Sequence, residues 1–213
     1  SQYMIASEMK AIPSKYKIQH IAPGTYYTFN MNNLTVYEGT PYFNYDFPTK
    51  FKVEVCIDIN RLLREAVVKR LMSDRPVGCL LSGGLDSSLV AAIAAENLPR
   101  QLHTFSIGMK GGTDLFYAKM VAKYINSKHH EVILDEQEFL DAIPEVIYTI
   151  ESYDTTTVRA SVGNWLISKY IRANSRAKVV FNGDGSDEVT GGYMYFHLAK
   201  NALEFDHECK RLL

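Results

Sequence analysis

At 213 residues the chain can bury one sizeable core and part of a second, and 46% apolar against 22% charged residues is the balance of an ordinary globular protein. A net charge of −1 with scattered Lys and Arg excludes a binder that relies on electrostatic attraction to nucleic acid, and no polybasic tract marks a membrane surface. No apolar run approaches the roughly 18 residues of a membrane span, and the opening SQYMIASEMK lacks the charged-then-apolar order of a signal peptide.

The first stretch, to about residue 48, reads as β structure. YMIASEMKAI and GTYYTFNMNNLTVYEG predict two or three strands, broken at Pro23-Gly24 and Asn32-Asn33. GTPYFNYDFPTKF is aromatic and proline-punctuated, as expected of a linker. From Val53 the pattern turns helical, with Val55, Ile59, Leu62, Leu63, Ala66, Val67 and Leu71 at helical spacing.

Strands and helices then alternate. Short apolar strands are expected at 77–81, 102–107, 130–134 and 178–181, and helices at 85–97, 114–127, 136–151 and 161–175. Strands that are almost entirely apolar suit a parallel sheet covered on both faces. The fold class expected is therefore α/β, a doubly wound parallel sheet, with ligands at the carboxyl ends of its strands. The pattern begins as if inside a sheet and ends in HECKRLL without a helix stop signal, so a piece of a longer protein is expected. The three cysteines, Cys56, Cys79 and Cys209, form no CxxC pair, which speaks against a zinc site or disulfide framework and for a reducing, cytoplasmic compartment. Cys79 lies in an apolar strand, where a small buried hydrophobe is expected. His129-His130 lacks an acid at metal-ligand spacing and is assigned a structural role. Trp165 and the Tyr-rich segments are assigned to core or interface.

LLSGGLDSSLV, residues 80–90, carries the first chemical signal. Two glycines between a strand and a helix let backbone N–H groups approach a ligand, and the helix N-terminus adds a positive dipole end. Ser82, Ser87 and Ser88 add hydroxyl donors, making an anion cradle that matches neither a Walker A loop nor GxGxxG. A carboxylate at Asp86 would repel a polyphosphate unless Mg²⁺ stood between them. The alternative is a tight turn with Asp86 as helix cap. VVFNGDGSDEVTGGY, residues 179–193, repeats the theme: a strand runs into a glycine-rich loop with three acids, suited to a divalent cation or, alternatively, simply solvated. Between these loops, YDTTTVRAS offers hydroxyls and a guanidinium fork for a carboxylate substrate, or a cap region for a helix starting near Ser161.

The order S-G-G-x-D-S resembles the pyrophosphate loop of the ATP pyrophosphatase superfamily. Together with YDTTTVRASVGNWLISKYIR, GDGSDEVTGGYMYFH and HTFSIGM, it resembles the synthetase domain of the glutamine-hydrolysing asparagine synthetases. IASEMKAI…IAPGTYYTF resembles the last strands of their class II glutaminase domain. The resemblance implies that residues 1–48 are the tail and linker of that domain, and 49–213 the N-terminal part of an adenine nucleotide alpha hydrolase-like synthetase domain.

The resemblance further implies a ligase that uses ATP and Mg²⁺ to convert aspartate to asparagine through β-aspartyl-AMP, releasing AMP and pyrophosphate, with ammonia drawn from glutamine. Leu81, Ile107, Asn182 and Gly183 would lie at the adenosine. Ser82, Gly83, Gly84, Asp86, Ser87 and Ser88 would bind the pyrophosphate end of ATP, and Asp86 and Asp187 the Mg²⁺. Thr156, Thr157 and Arg159 would hold aspartate, and Asp184 would assist the attack of ammonia. Asp184 and Asn182 depart from the usual Glu and Ser. Position 1 is Ser rather than the family's nucleophilic Cys, and a phosphate-binding Lys is expected beyond Leu213. Glutamine-dependent synthesis thus needs the full-length enzyme, for which a homodimer is a further expectation and no nucleic-acid or membrane partner is expected. A related amidotransferase such as β-lactam synthetase, and a degenerate nucleotide-binding module, are the competing readings. The former fits TTTVRAS and MYFH less well.

Overall fold

The computed structural model describes residues 4–33, 35–37, 39–42 and 55–212. It divides into two compact units, Ser1–Phe51 and Lys52–Leu213. In the first, β1 (Thr25–Tyr26) pairs antiparallel with β4 (Thr40–Pro41), and β2 (Phe29–Asn30) with β3 (Thr35–Val36). The turn expected at Asn32-Asn33 is built by Asn30, whose side-chain oxygen accepts from the backbone of Asn32 at 2.9 Å. YMIASEMKAI, expected as a strand, instead contains a 3₁₀ turn at Met9–Ala11, closed by the Ile12 amide on Met9. Most of the expected linker, and the helix onset at Val53, lie outside the described residues.

The second unit runs α1 (Val55–Arg70), β5 (Val77–Leu80), α2 (Leu85–Asn97), β6 (His103–Met109), α3 (Thr113–Tyr124), β7 (Lys128–Leu134), α4 (Glu136–Ile150), α5 (Thr155–Asn174), β8 (Val179–Phe181), α6 (Ser186–Thr190) and α7 (Ala202–Leu212), with a 3₁₀ turn at Met194–Leu198. The four strands form a parallel sheet in the order β7-β6-β5-β8. No helix among the described residues is long and apolar enough to cross a membrane.

Period-two alternation along β5 assigns its side chains to two cores. Cys79 and Leu81 enter a cluster with Val67, Ala91, Ala94, Ala118 and Ala122 from α1, α2 and α3. Leu80 turns the other way, joining Phe105, Val132, Ile167 and Ile171 on the α5 face. Helices thus cover both faces, the doubly wound arrangement. A third cluster, with Val146, Val158 and Val162 at its centre, fastens α4 to α5, and Trp165 packs at its margin. Burial pushes the Cys79 thiol up to about 12, leaving it an inert apolar filler. On α1 only part of the expected stripe is used: Leu63, Val67 and Leu71 join the core, whereas Ile59 and Leu62 stay exposed.

The His129-His130 pair is structural. His129 bridges strands, with Nδ1 2.9 Å from Thr104 Oγ1 and Nε2 3.2 Å from Ser106 Oγ. His130 stacks on Phe105 and sits 3.2 Å from His103 Nδ1, a contact that requires at least one neutral ring. Burial is the main cause holding all three below the ordinary histidine value of 6.5. Lys128 adds to it at His103 and His130, and Lys119 at His129, where Glu131 opposes. Below about pH 6.5 the unfolded chain therefore binds more protons than the folded one. Stability is expected to be level above that pH and to fall as the pH drops through the lower folded values, by a few degrees in thermal midpoint. His103→Asn should flatten the decline. A midpoint that rises on acidification from pH 7 to 5.5 would exclude this cluster as the controlling group.

Candidate active site

The sheet order places the loops after β5 and β8 side by side, while the chain runs from β5 toward β6 on one side and enters β8 from the other. This is the topological switch point, where an open parallel sheet leaves a crevice at its carboxyl edge. A cleft of about 440 Å³ lies there.

One wall is residues 82–87. Ser82 and Ser87 close the loop on itself: their hydroxyls are 2.9 Å apart, Ser87 Oγ accepts from the Ser82 amide at 3.2 Å, and Ser82 Oγ accepts from Gly84 N–H at 3.3 Å. Gly83 is obligatory. Its φ is +86°, and a Cβ would lie 2.5 Å from the Ala118 backbone nitrogen, so only glycine lets the loop lie against α3. Helix α2 follows with Gly84 as N-cap and no side-chain cap, so no capping side chain occupies its first N–H groups. The Asp86 carboxylate stands in this first turn and lines the cleft.

The opposite wall is the β8 loop. A Cβ on Gly183 would fall 2.8 Å from Ser87 N, so the two loops touch where only hydrogen fits. Gly183 O accepts from Ser186 Oγ at 3.1 Å, and Gly185 turns in the left-handed region. Asn182 Nδ2 donates to Asp184 Oδ2 at 2.6 Å. Gly192 leaves room for the Asp187 carboxylate, whose Oδ1 a Cβ would meet at 2.2 Å. Tyr193 donates its hydroxyl to Glu188 at 2.5 Å, which holds that carboxyl below its usual range and pushes the phenol up to about 12. Ala160 and Asn164 of α5 complete the lining.

The expected residues divide accordingly. Ser82, Gly84, Asp86, Ser87, Asn182, Gly183, Asp184 and Asp187 line one cleft. Gly83 lies behind it against α3. Leu81 is buried in the core below the loop, and half-buried Ile107 packs in the α5-face cluster. Ser88 Oγ is buried without a partner among the described residues. Helix α5 starts six residues earlier than expected, at Thr155, because Asp154 caps it: its Oδ1 accepts from Thr157 N–H and Oγ1–H, both at 2.8 Å. Those bonds hold the Asp154 carboxyl below its usual range. Thr156, Thr157 and Arg159 are exposed on the first turns of α5 and do not line the cleft, and Arg159 has no ion pair among the described residues. Glu188, one of the three acids expected in this loop, lines the cleft as well; Tyr193, Asn164 and Ala160 line it without having been assigned to it, and the Gly191-Gly192 turn before Tyr193 is the sequence sign that the motif continues that far.

Asp86, Asp184, Asp187 and Glu188 bring four carboxylates to the cleft, and no basic side chain lines it among the described residues. Among the described residues no three His, Cys, Asp or Glu form a preformed metal cluster. Mg²⁺ is commonly held by one or two carboxylates with substrate phosphates and water completing the shell. The hard carboxylate oxygens fit that ion, and the helix N-terminus beside them suits the phosphates that would complete its shell.

Fold and cleft together define an α/β protein with an acidic, glycine-walled cleft at the switch point of its parallel sheet. The profile of the family described as asparagine synthase matches residues 58–209, and the chain belongs to that family. It is similar to glutamine-hydrolysing asparagine synthetases, 52% identical over 169 residues to that of Rattus norvegicus, covering 76% of this chain and 30% of the relative. To that of Cricetulus griseus it is 54% identical over 157 residues (71% and 28%), and to that of Gallus gallus 50% over 174 residues (79% and 31%). The chain thus spans about 30% of the length of the curated relatives it matches.

Proposed function

We propose that the full-length protein carrying this chain makes asparagine from aspartate and ATP, with ammonia released from glutamine, and that the switch-point cleft is the adenylylation site. Residues 1–48 are read as the end of the glutaminase domain and 49–213 as the start of the synthetase domain. The observation that carries this reading is the closure of two acidic, glycine-rich loops on one cleft beside an uncapped helix N-terminus, in a chain of the asparagine synthase family.

A carboxylate does not exchange oxygen for nitrogen at neutral pH, because oxide is a poor leaving group. Adenylylation supplies a better one: a β-carboxylate oxygen of aspartate bonds to the α-phosphorus of ATP, and the bond to pyrophosphate breaks. The first N–H groups of α2 are positioned to receive charge developing on the pyrophosphate. Mg²⁺ held by Asp86 and Asp187 with the phosphates would neutralise the same charge. Ammonia then bonds to the acyl carbon, AMP leaves with the bridging oxygen, and Asp184 accepts the proton lost by nitrogen.

Arg159 directly precedes Ala160, a cleft residue, and Thr156 and Thr157 lie one turn before it; the three are proposed to receive the aspartate carboxylates at the cleft mouth. Arg159→Lys in the full-length protein is expected to raise the KM for aspartate by about 10- to 100-fold with ATP affinity retained, the scale of a lost charged bidentate contact. Steady-state kinetics with aspartate and with alternative carboxylate substrates test this together with the substrate class. Unchanged aspartate KM would return Arg159 to a solvated helix position. AMP formation with a different acid, and none with aspartate, would move the protein to a related amidotransferase.

A further inference from the structure

Asn182 and Asp184 flank Gly183 on a stretch of backbone fixed from several directions. Gly183 is wedged against Ser87 N, its carbonyl is bonded by Ser186 Oγ, and Gly185 sits at φ +92°. Side chains leaving such a loop start from fixed Cα positions, so their remaining freedom is rotameric. Both are exposed and line the cleft. An aspartate in that setting has three χ1 wells and a broad χ2. Here one choice is selected, because Asn182 Nδ2 lies 2.6 Å from Asp184 Oδ2. The amide can only face the carboxylate with its NH₂ group, since its carbonyl oxygen would be repelled. An amide N–H donating to an ionised carboxylate is a charge-assisted bond.

We infer that Asn182 is a positioning residue for Asp184: its side-chain amide ties down Oδ2, fixes the plane of the carboxylate and leaves Oδ1 as the oxygen available in the cleft. This rests on the proposed role of Asp184 as the proton acceptor in the ammonia step. The tie matters because the arm of Asp184 is short and its base must lie within hydrogen-bond reach of the attacking nitrogen. A carboxylate that samples several rotamers meets that requirement only part of the time.

Two measurements on the full-length protein test it. With asparagine side chains ¹⁵N-labelled, the Asn182 amide protons should exchange with solvent about tenfold faster in Asp184→Ala than in the parent, as expected on losing a charge-assisted bond. Equal exchange in both would overturn the inference whatever the enzyme does. The second measurement is asparagine formed per pyrophosphate released, a ratio insensitive to lost ATP affinity because both products descend from one adenylate. Asn182→Ala should lower it roughly tenfold, and Asn182→Asp further, since that change keeps the shape but sets two carboxylates together. In an Asp184→Ala background neither change should lower it again. Additive losses would overturn the positioning role while leaving Asp184 as the base. A parental ratio in Asp184→Ala alone would overturn the base assignment and the positioning role with it, and the exchange data would still report the bond.

Discussion

Asp184→Asn in the full-length protein is expected to lower asparagine formation by about 10²- to 10⁴-fold, the usual contribution of a general acid–base group, while aspartate still drives pyrophosphate release. The separation follows from the order of events. Adenylylation needs the Asp184 side chain for no proton, whereas the attacking ammonia must lose one after the carbon–nitrogen bond forms. The neutral amide occupies nearly the same volume, so the loop should stay folded and the β-aspartyl adenylate should accumulate or leak. Asp184→Glu retains a carboxylate, one methylene longer on the same fixed backbone, and is expected to keep activity of the parental order. Rapid quench with both products counted decides it. If Asp184→Asn forms asparagine and pyrophosphate at the parental rate and ratio, Asp184 is a solvated loop acid.

Asp86→Asn is the second large effect, and it acts earlier. Asp86 lines the cleft from the first turn of α2, on the wall opposite Asp187, and no basic side chain lines that cleft among the described residues. A ligand at about 100 times its Kd stabilises the native state by about 2.7 kcal/mol. Loss of one carboxylate of the proposed cation site is expected to weaken Mg²⁺-dependent nucleotide binding by about 100-fold. At the same concentration the stabilisation then shrinks to about 0.4 kcal/mol. The thermal midpoint should rise clearly with Mg²⁺ and a non-hydrolysable ATP analogue in the parent, and hardly at all in Asp86→Asn. Both proteins should respond alike to the analogue with the metal chelated. Retention of the full Mg²⁺-dependent shift in the mutant would remove Asp86 from the cation site.

Much of the fold was legible because parallel strands buried on both faces leave a plain mark. VGCLL and VVF read as apolar runs, and LDSSLVAAIAAEN reads as helix with the same ends found in the structure. The misses have physical causes. Three consecutive β-branched threonines speak against a helix, yet Asp154 caps α5 from outside that run and supplies the start signal. Helix α6 is only five residues long, too short for a period to register. YMIASEMKAI has strand composition but forms a 3₁₀ turn, since strand propensity is realised only with a pairing partner. Within the cleft, the two loops were readable from their glycines, because the close backbone approach at Gly83 and Gly183 demands them, and from the acids that follow. Tyr193, Asn164 and Ala160 were not assigned, because their presence depends on how β8 and α5 pack beside β5. The Asn182–Asp184 bond is likewise a property of the folded loop.

The most direct measurement follows oxygen. Full-length protein is given ATP, Mg²⁺, ammonia and aspartate labelled with ¹⁸O in its β-carboxylate, and the products are resolved by mass. Attack of that carboxylate on the α-phosphorus, followed by ammonia at the acyl carbon, puts a single ¹⁸O in each AMP and none in pyrophosphate, with asparagine formed in equal amount. Label in inorganic phosphate with ADP as co-product would mean attack at the γ-phosphorus and an acyl phosphate, and would contradict an adenylylating site in this cleft.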